Sequence, residues 1–341
     1  MSTNALDRLR TFPRMELAHL PTPLLPARNL RRALGTNAPE IFLKMDGWTG
    51  FAMGGNKVRK LEFVLANEGG GADTLVTCGG PQSNHARATA GAAAYLGLEC
   101  VLVLNGEAPR PHRGNALLQR LYGARIHTVE GREERAPAME TVAEELKALG
   151  RRPLVVPLGA STPMGALGYT RAAVEVNDQL QGVGSRPLER PGAGEEGPGR
   201  TWIFVSASSC GTLAGLALGF TLLGRDEIRL VGISADVTEE EMVRNTAEIA
   251  GGAGEILGWE GSLLPDLVHP DDGFVGEGYG IPTDASAEAG ELFARKAGVV
   301  LDPVYTAKVG AGFLDWIRKG RIPKDDTVVF WHTGGEPGLF N

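Results

Sequence analysis

Gly54-Gly55-Asn56-Lys57 opens the most informative segment of this chain, and Val-Arg-Lys-Leu-Glu-Phe-Val-Leu-Ala follows it. Two adjacent glycines permit a tight turn with positive φ and let the backbone approach a ligand closely. The residues that follow have apolar side chains at positions 58, 61, 64 and 65, a spacing that predicts a helix. Lys57 therefore falls in the predicted first turn, where the positive end of the helix dipole disfavours an ammonium group.

A lysine destabilised in this way shifts toward the neutral amine, which is the form that condenses with a carbonyl group. We therefore expect Lys57 to lie in a cleft as a nucleophile. The segment by itself also fits a surface lysine on an amphipathic helix, so the choice between the two depends on the rest of the chain.

The composition narrows the class of protein. With 341 residues, 43% of them hydrophobic, the chain is long enough for two domains with sizeable cores. A formal net charge of −7 argues against nucleic acid or an anionic membrane as the main partner. The three cysteines, Cys78, Cys100 and Cys210, lack metal-site spacing and indicate free thiols in a reducing compartment. Because no apolar export segment is visible, a cytoplasmic location is expected.

Strand-like apolar runs alternate with helical patterns along most of the chain. This alternation predicts an α/β fold with two domains, each a mainly parallel twisted sheet wound by helices. Ligands of such sheets bind at the carboxyl ends of the strands, so chemistry is expected in the loops that follow strands. The predicted strands are 41–43, 74–77, 100–104, 126–129, 154–156, 203–205, 230–233 and 328–331, and the predicted helices include 86–96, 115–121, 139–149, 213–223 and 285–297.

The uncharged run 201–224 is long enough to raise the question of a membrane span. Its middle, Ser206-Ala-Ser-Ser-Cys-Gly-Thr212, is polar and turn-forming, so a strand, a loop and a helix are expected instead. Before this run, residues 181–199 are rich in Gly, Pro and charge, which predicts a mobile loop without a catalytic role. We therefore expect no contact with a membrane.

Two loops that follow predicted strands carry polar groups suited to binding. Ser83 and Asn84 precede an Ala-rich helix, where they could cap the helix or project into the cleft that holds Lys57. The second loop, Ser209-Cys210-Gly211-Thr212, also precedes a helix, and amides and hydroxyls at a helix N-terminus suit a phosphate. This loop matches neither a Walker sequence nor a dinucleotide fingerprint, and a plain turn is the alternative.

An amine in a cleft, a phosphate-binding loop and hydroxyl-bearing loops together suggest pyridoxal phosphate as the cofactor. The stretch 54–63 followed by Gln82-Ser-Asn-His85 resembles the D-cysteine desulfhydrase and 1-aminocyclopropane-1-carboxylate (ACC) deaminase family. This family belongs to the tryptophan-synthase-β-like, fold-type-II pyridoxal-phosphate enzymes. The resemblance continues through Leu20-Pro-Thr-Pro-Leu24, Gly165-Ala-Leu-Gly-Tyr169, Tyr279-Gly-Ile-Pro282, Asp302-Pro-Val-Tyr-Thr306 and His332-Thr-Gly-Gly335.

The resemblance implies a domain division and an assembly. Residues 1–49 and 163–341 are expected to form a large domain that binds the cofactor phosphate, and residues 50–162 a small α/β domain. The cofactor is expected in the cleft between the two domains. Relatives of this type are commonly dimers, so a homodimer is expected.

The resemblance also implies roles for single residues. Lys57 is expected to carry the cofactor covalently, with Lys60 structural. Asn84 is expected to hydrogen-bond the ring hydroxyl of the cofactor, and Ser83 to bind the substrate carboxylate and assist catalysis. The residues that match the phosphate loop are Ser209, Cys210, Gly211 and Thr212, with Cys210 standing where relatives usually have glycine.

Tyr279 and Tyr305 match two active-site tyrosines that act on the amino or leaving group of the substrate. ACC deaminases of this family are expected to carry a glutamate after the second tyrosine, facing the ring nitrogen of the cofactor. This chain has Thr306 there, with Thr333 as a second neutral hydroxyl near the same nitrogen. A hydroxyl cannot keep that nitrogen protonated as a carboxylate does, so carbanion stabilisation should be weaker. This favours loss of a good β leaving group over opening of a cyclopropane ring.

The sequence therefore predicts a lyase that performs α,β-elimination on a small β-substituted amino acid, with D-cysteine giving pyruvate, ammonia and sulfide. Lys57 is the expected base for the α proton, assisted by Ser83 and the tyrosines. L-cysteate or another β-substituted D-amino acid stays open as the substrate, because Thr162 stands where many relatives have asparagine. Three alternatives are less favoured: ACC deamination, cofactor binding without catalysis, and a nicotinamide-dependent oxidoreductase. The oxidoreductase would require a dinucleotide glycine fingerprint, which this sequence lacks.

Overall fold

Two β-sheets, each covered by helices, form the framework of the protein. The computed structural model describes residues 2–107, 110–184 and 199–340. The strands in these ranges are β1 Leu24–Pro26, β2 Glu40–Met45, β3 Thr74–Gly79, β4 Glu99–Asn105, β5 Arg125–Val129, β6 Pro153–Val155, β7 Thr201–Ser206, β8 Ile228–Ile233, β9 Val268–Asp271 and β10 Thr327–His332. The α-helices are α1 Ser2–Thr11, α2 Arg28–Leu34, α3 Asn56–Glu68, α4 Asn84–Leu96, α5 Gly114–Leu121, α6 Arg135–Ala148, α7 Pro163–Gly184, α8 Gly211–Leu223, α9 Glu239–Ile256, α10 Asp284–Ala297 and α11 Thr306–Arg318.

The larger sheet has the strand order β1-β2-β10-β7-β8-β9, and the smaller sheet has the order β5-β4-β3-β6. All pairs are parallel except β1 with β2. Central strands such as β3 and β7 are apolar runs because helices cover both faces of a parallel sheet. The predicted α/β fold with mainly parallel sheets is therefore confirmed.

Two strands of the larger sheet were not predicted, because β1 is only three residues long and β9 lacks an apolar run. β1 has three residues, ends in Pro26 and pairs antiparallel at one edge of the sheet. β9, Val268-His-Pro-Asp271, lies at the opposite edge and is half-buried throughout. Proline is tolerated at such edges, where a missing backbone N–H breaks no interior ladder.

The turn before α3 has the geometry that its glycines predict. Gly54 and Gly55 have φ values of +68° and +104°, and a Cβ at Gly54 would lie 1.9 Å from the carbonyl oxygen of Gly47. α3 begins at Asn56, so Lys57 lies in the first turn, as expected. The helix packs against α7 and so fixes the lysine relative to the larger sheet.

The uncharged run 201–224 forms β7, a short loop and α8, as predicted. α8 is buried on all sides, from Gly211 to Leu222, which explains its continuous apolar sequence. Across the described residues, every helix is too short or too polar to cross a membrane.

The predicted mobile loop 181–199 requires a correction. α7 continues to Gly184, so the first four residues of that stretch are helical. Residues 185–198 lie outside the described residues.

The two sheets draw their strands from different parts of the chain. The larger sheet uses strands between residues 24 and 45 and between residues 201 and 332, whereas the smaller sheet uses strands between 74 and 155. This separation is compatible with domains 1–49 plus 163–341 and 50–162, whose boundaries stay a prediction. One cleft receives the loops that follow β3, β5 and β6 of the smaller sheet and β7, β8 and β10 of the larger sheet.

Candidate active site

The cleft is lined by polar groups at the carboxyl ends of strands from both sheets, where the parallel topology predicts a ligand site. Most of the residues singled out in the sequence are brought together here. The lining comprises Asn56, Lys57, Gly79, Gly80, Ser83, Asn84, His85, Arg132, Arg135, Leu158, Gly159, Ser206, Ser208, Ser209, Cys210, Thr212, Asp236, Val237, Tyr279, Tyr305, Thr333 and Gly334.

Lys57 presents its amine to this cleft from a partly buried side chain. Burial lowers the pKa of Lys57 to about 8, and a hydrogen bond with Lys60 opposes the shift. The expected shift is therefore present, although its main cause is loss of water rather than the helix dipole. A Cβ at Gly159 would lie 3.3 Å from Lys57 Nζ, so a side chain there would crowd the amine. A substantial neutral fraction near pH 8 suits Lys57 for attack on a carbonyl.

Lys60, one turn further along α3, is almost completely buried. Its Nζ donates to Ser161 Oγ at 2.9 Å and to the carbonyl oxygen of Gly159 at 3.3 Å. Burial, followed by repulsion from Lys57, holds the pKa of Lys60 well below its ordinary value. Lys60 thus secures the loop after β6 against α3.

Ser83 and Asn84 occupy the N-terminus of α4. Ser83 is the N-cap, and its Oγ accepts a hydrogen bond from Ala86 N at 3.1 Å. The capping role considered from the sequence is therefore present, and the residue also lines the cleft. Asn84 Oδ1 accepts from Asn115 Nδ2 at 2.8 Å. This hydrogen bond leaves Asn84 Nδ2 as a donor that no described residue uses.

The predicted phosphate loop surrounds the N-terminus of α8. Ser209 Oγ and Ser161 Oγ are 2.8 Å apart, and Thr212 Oγ1 accepts from Asn56 Nδ2 at 3.0 Å. The second bond joins the start of α3 to the start of α8. A Cβ at Gly211 would lie 2.7 Å from Ser161 Oγ, so the backbone of this loop is closely packed.

Cys210 adopts φ +56° and ψ −11°, the left-handed conformation that glycine enters without strain. The backbone therefore follows the path that a glycine would take, although the residue is cysteine. The thiol is buried and donates to Ser208 O at 3.4 Å.

Tyr279 and Tyr305 come together at the opposite wall, where their hydroxyls form a hydrogen bond with each other. Burial raises the pKa of Tyr279 and raises that of Tyr305 well above its ordinary value. Both phenols are therefore protonated at neutral pH, and the one that accepts the mutual hydrogen bond can donate its own O–H to a ligand.

The two threonines expected near the ring nitrogen are not equivalent. Thr333 lines the cleft. Thr306 is completely buried behind it, and its Oγ1 donates to Asp302 Oδ1 at 2.7 Å and accepts from Asp302 N at 2.7 Å. The structure thus brings Thr333 to the cleft surface and leaves Thr306 outside the lining.

Several cleft residues were missed or given no role from the sequence. His85 is buried, with Nε2 2.8 Å from Thr77 Oγ1, and burial keeps its pKa well below the ordinary value. Arg132, Arg135 and Asp236 belong to no motif, and only the three-dimensional structure places them at the cleft.

These residues fit pyridoxal phosphate. A partly buried amine with a lowered pKa can hold its aldehyde, and the hydroxyls and amides at the start of α8 can bind its phosphate. The unused amide donor of Asn84 is available for its ring hydroxyl. A family model described as pyridoxal-phosphate dependent enzyme matches residues 15–334. The chain belongs to this family.

Similar proteins support the assignment of this chain to the pyridoxal-phosphate-dependent enzymes. The D-cysteine desulfhydrase of Salmonella newport (strain SL254) is 38% identical over 341 residues, covering 98% of each chain. A solved structure described as an ACC deaminase homologue has 35% identity and a TM-score of 0.85, covering 100% of this chain and 97% of its own. Threonine deaminase isoform 2 from Solanum lycopersicum, with 14% identity and a TM-score of 0.67, covers 98% of this chain and 84% of its own and shares the fold. The resemblance seen in the motifs is confirmed.

Proposed function

We propose that this enzyme is a carbon–sulfur lyase that catalyses α,β-elimination on a small β-substituted amino acid, with D-cysteine as its substrate. The observation that carries the proposal is the position of Lys57 in one cleft with Ser83 and with the hydrogen-bonded pair Tyr279 and Tyr305. The 38% identity to a D-cysteine desulfhydrase supports this choice of substrate.

The residues divide between binding and proton transfer. Pyridoxal phosphate, when bound, supplies an electron sink that acidifies the α proton of the substrate. The helix N-terminus at Ser209–Thr212 binds its phosphate, Asn84 orients its ring, and Ser83 at the start of α4 binds the substrate carboxylate.

The proposed proton transfer uses the lowered pKa of Lys57, and hydrogen bonding to the leaving group uses the raised pKa values of Tyr279 and Tyr305. Lys57 Nζ, with a pKa of about 8, accepts the α proton as a neutral amine. As the Cβ–S bond breaks, sulfur takes the bonding electron pair, and the phenol pair stabilises it with a hydrogen bond. The α proton accepted by Lys57 balances the proton that the departing sulfur takes up to leave as hydrogen sulfide. The unsaturated product then takes up water and releases ammonia, leaving pyruvate. The overall change is D-cysteine and water to pyruvate, ammonia and hydrogen sulfide.

The electrostatics of the cleft favour this reaction over ACC deamination. Asp236 is the one carboxylate among the described residues that line the cleft, and it is bonded to Arg132 at 2.6 Å and to the Ser208 hydroxyl. Thr333 is a neutral hydroxyl, as expected beside an unprotonated ring nitrogen. A weaker electron sink suits loss of sulfide better than ring opening.

A second candidate, L-cysteate elimination to pyruvate, ammonia and sulfite, is favoured by one observation. Arg132 and Arg135 place two guanidinium groups in the lining, where a sulfonate would be attracted. D-cysteine and L-cysteate differ in both their leaving group and their stereochemistry, so the two candidates predict different products.

The test is a product assay on purified, cofactor-loaded enzyme with D-cysteine, L-cysteine, L-cysteate and ACC side by side. Pyruvate and sulfide formed with D-cysteine as the preferred substrate support the proposal. Sulfite from L-cysteate at a higher kcat/KM supports the second candidate, and 2-oxobutanoate from ACC contradicts both.

A further inference from the structure

We propose that Arg135 is a specificity-determining residue that binds a negatively charged β-substituent of the substrate. This inference rests on the proposed function, because it assigns one more group to the same cleft. It concerns a residue that belongs to none of the motifs and whose side chain forms no hydrogen bond or ion pair with the residues that the structure describes.

Arg135 is the first residue of α6 and is only 7% exposed, yet it lines the cleft. Its Nε is buried without a hydrogen-bond partner, and its side chain forms no ion pair with any described residue. Buried guanidinium groups are ordinarily paired, because an unpaired buried charge is costly. A guanidinium in this position can bind an anion that enters the cleft.

Arg132, in the loop between β5 and α6, differs from Arg135 because its guanidinium is already paired with a carboxylate. Its Nη2 bonds to Asp236 Oδ2 at 2.6 Å, and its guanidinium stacks on the ring of Tyr279 at 4.6 Å from the centroid. Asp236 neutralises Arg132, so the unbalanced positive charge of this wall belongs to Arg135.

The location distinguishes this charge from the two other anion positions in the cleft. The phosphate is assigned to the N-terminus of α8, and the substrate carboxylate to the N-terminus of α4. Arg135 instead lines the cleft together with Tyr279 and Tyr305, the phenols assigned to the leaving group, and Arg132, three residues before it, stacks on the Tyr279 ring. A group attached to Cβ is thus the part of the substrate that faces Arg135.

The chemistry of the ligand follows from the guanidinium. Arginine forms charge-assisted, bidentate hydrogen bonds with planar or tetrahedral oxyanions, and it also attracts a thiolate. A β-sulfonate is the fully charged case, whereas the sulfur of a cysteine becomes anionic only as its bond to Cβ breaks.

The test compares Arg135→Met and Arg135→Lys with Lys147→Met in cofactor-loaded enzyme. Lys147 is an exposed residue of the same helix, paired with Glu144, so its replacement removes one positive charge outside the cleft. The probes are 3-sulfopropanoate, which has a carboxylate and a sulfonate but no amine, and propanoate, which lacks the sulfonate. Calorimetry measures their binding, and kcat/KM is measured for L-cysteate and D-cysteine.

We expect the unmodified enzyme to bind 3-sulfopropanoate more tightly than propanoate. Arg135→Met should weaken 3-sulfopropanoate binding by about 10- to 100-fold, the range expected for a hydrogen bond to a charged group, and leave propanoate within about threefold. Arg135→Lys should lose less affinity for 3-sulfopropanoate, because lysine keeps the positive charge but cannot form the bidentate hydrogen bonds of a guanidinium. Lys147→Met should bind both probes as the unmodified enzyme does. Where L-cysteate is turned over, its kcat/KM should fall by the same factor.

Two results would overturn the assignment. An equal loss of both probes in Arg135→Met would place the carboxylate, rather than the β-substituent, on Arg135. Equal binding of both probes by the unmodified enzyme would show that no site for a charged β-substituent exists. Since neither probe can react, both outcomes are independent of whether the enzyme turns over D-cysteine, and a failure of the proposed function appears only in the kinetic measurements.

Discussion

Arg59 and Asp46 form a buried bidentate pair, with Nε 2.9 Å from Oδ2 and Nη2 2.8 Å from Oδ1. Arg59 lies two residues after Lys57 on α3, and Asp46 directly follows β2 of the larger sheet. Glu175 of α7 accepts from the same guanidinium at 3.0 and 2.9 Å. These bonds connect the helix that carries the amine to the sheet that carries the phosphate loop.

Replacing Asp46 with asparagine should therefore destabilise the protein strongly. The exchange removes the buried carboxylate partner of Arg59 and leaves only the partly buried Glu175, and breaking a buried ion pair costs roughly 3–5 kcal/mol. The unfolding midpoint in urea measures the effect. Asp7→Asn, which breaks an exposed pair with Arg10, is the control and should change stability by less than about 1 kcal/mol. Similar losses in both variants would contradict a special role for the buried pair.

The same pair predicts an acid-sensitive stability. Burial alone would raise the pKa of Asp46, but the charge and hydrogen bonds of Arg59 lower it to about 2 from 3.8. Because the folded-state pKa is the lower one, the carboxylate contributes stability above pH 3.8 and loses that contribution as the pH falls through about 2. The contribution is about 2–3 kcal/mol at neutral pH, at 1.36 kcal/mol for each pKa unit. Unfolding midpoints measured from neutral to strongly acidic pH should fall less steeply in Asp46→Asn, and identical slopes would exclude this source.

Lys57 should be the residue that attaches the cofactor. Lys57→Ala is expected to abolish the visible absorbance of the bound cofactor, its fixation by borohydride, and turnover. Since the pKa of Lys57 is about 8 and only the neutral amine reacts, cofactor uptake by the apoprotein should accelerate as the pH rises through about 8. Lys60→Met is the matched variant and should keep the borohydride-fixed cofactor, because Lys60 Nζ is bonded to the loop after β6. A fixed cofactor in Lys57→Ala would identify another lysine as the attachment site.

The sequence predicted the parts of the site that are local in the chain. The glycine turn before α3, the cap at Ser83 and the loop before α8 each depend on residues within one short segment, so a motif can specify them. Arg135 and Asp236 could not be predicted in this way. Their shared cleft arises from the packing of two sheets, and neither residue stands in a recognisable pattern.

Two features show what local reasoning does not reach. Thr306 follows Tyr305 in the chain, but Thr306 begins α11, and successive residues of a helix point in different directions. Its hydroxyl therefore meets Asp302 behind the cleft wall. For Lys57 the direction of the pKa shift was predicted, but burial as its largest cause was not, because burial depends on neighbours such as Gly159 that lie far away in the sequence.

Cys210 should be less favourable than glycine for the backbone at this position. Its φ of +56° is one that a Cβ disfavours by about 1–2 kcal/mol, whereas glycine adopts it freely. Cys210→Ala and Cys210→Gly both remove the buried thiol and differ only in the Cβ, so the glycine variant should be the more stable of the two by about 1 kcal/mol. Denaturant unfolding midpoints measure the difference. Ala214→Gly, inside α8 at a helical backbone geometry, is the control and should have the opposite sign, with a loss of about 1 kcal/mol. An alanine variant as stable as the glycine variant would mean that the left-handed conformation of Cys210 is not strained.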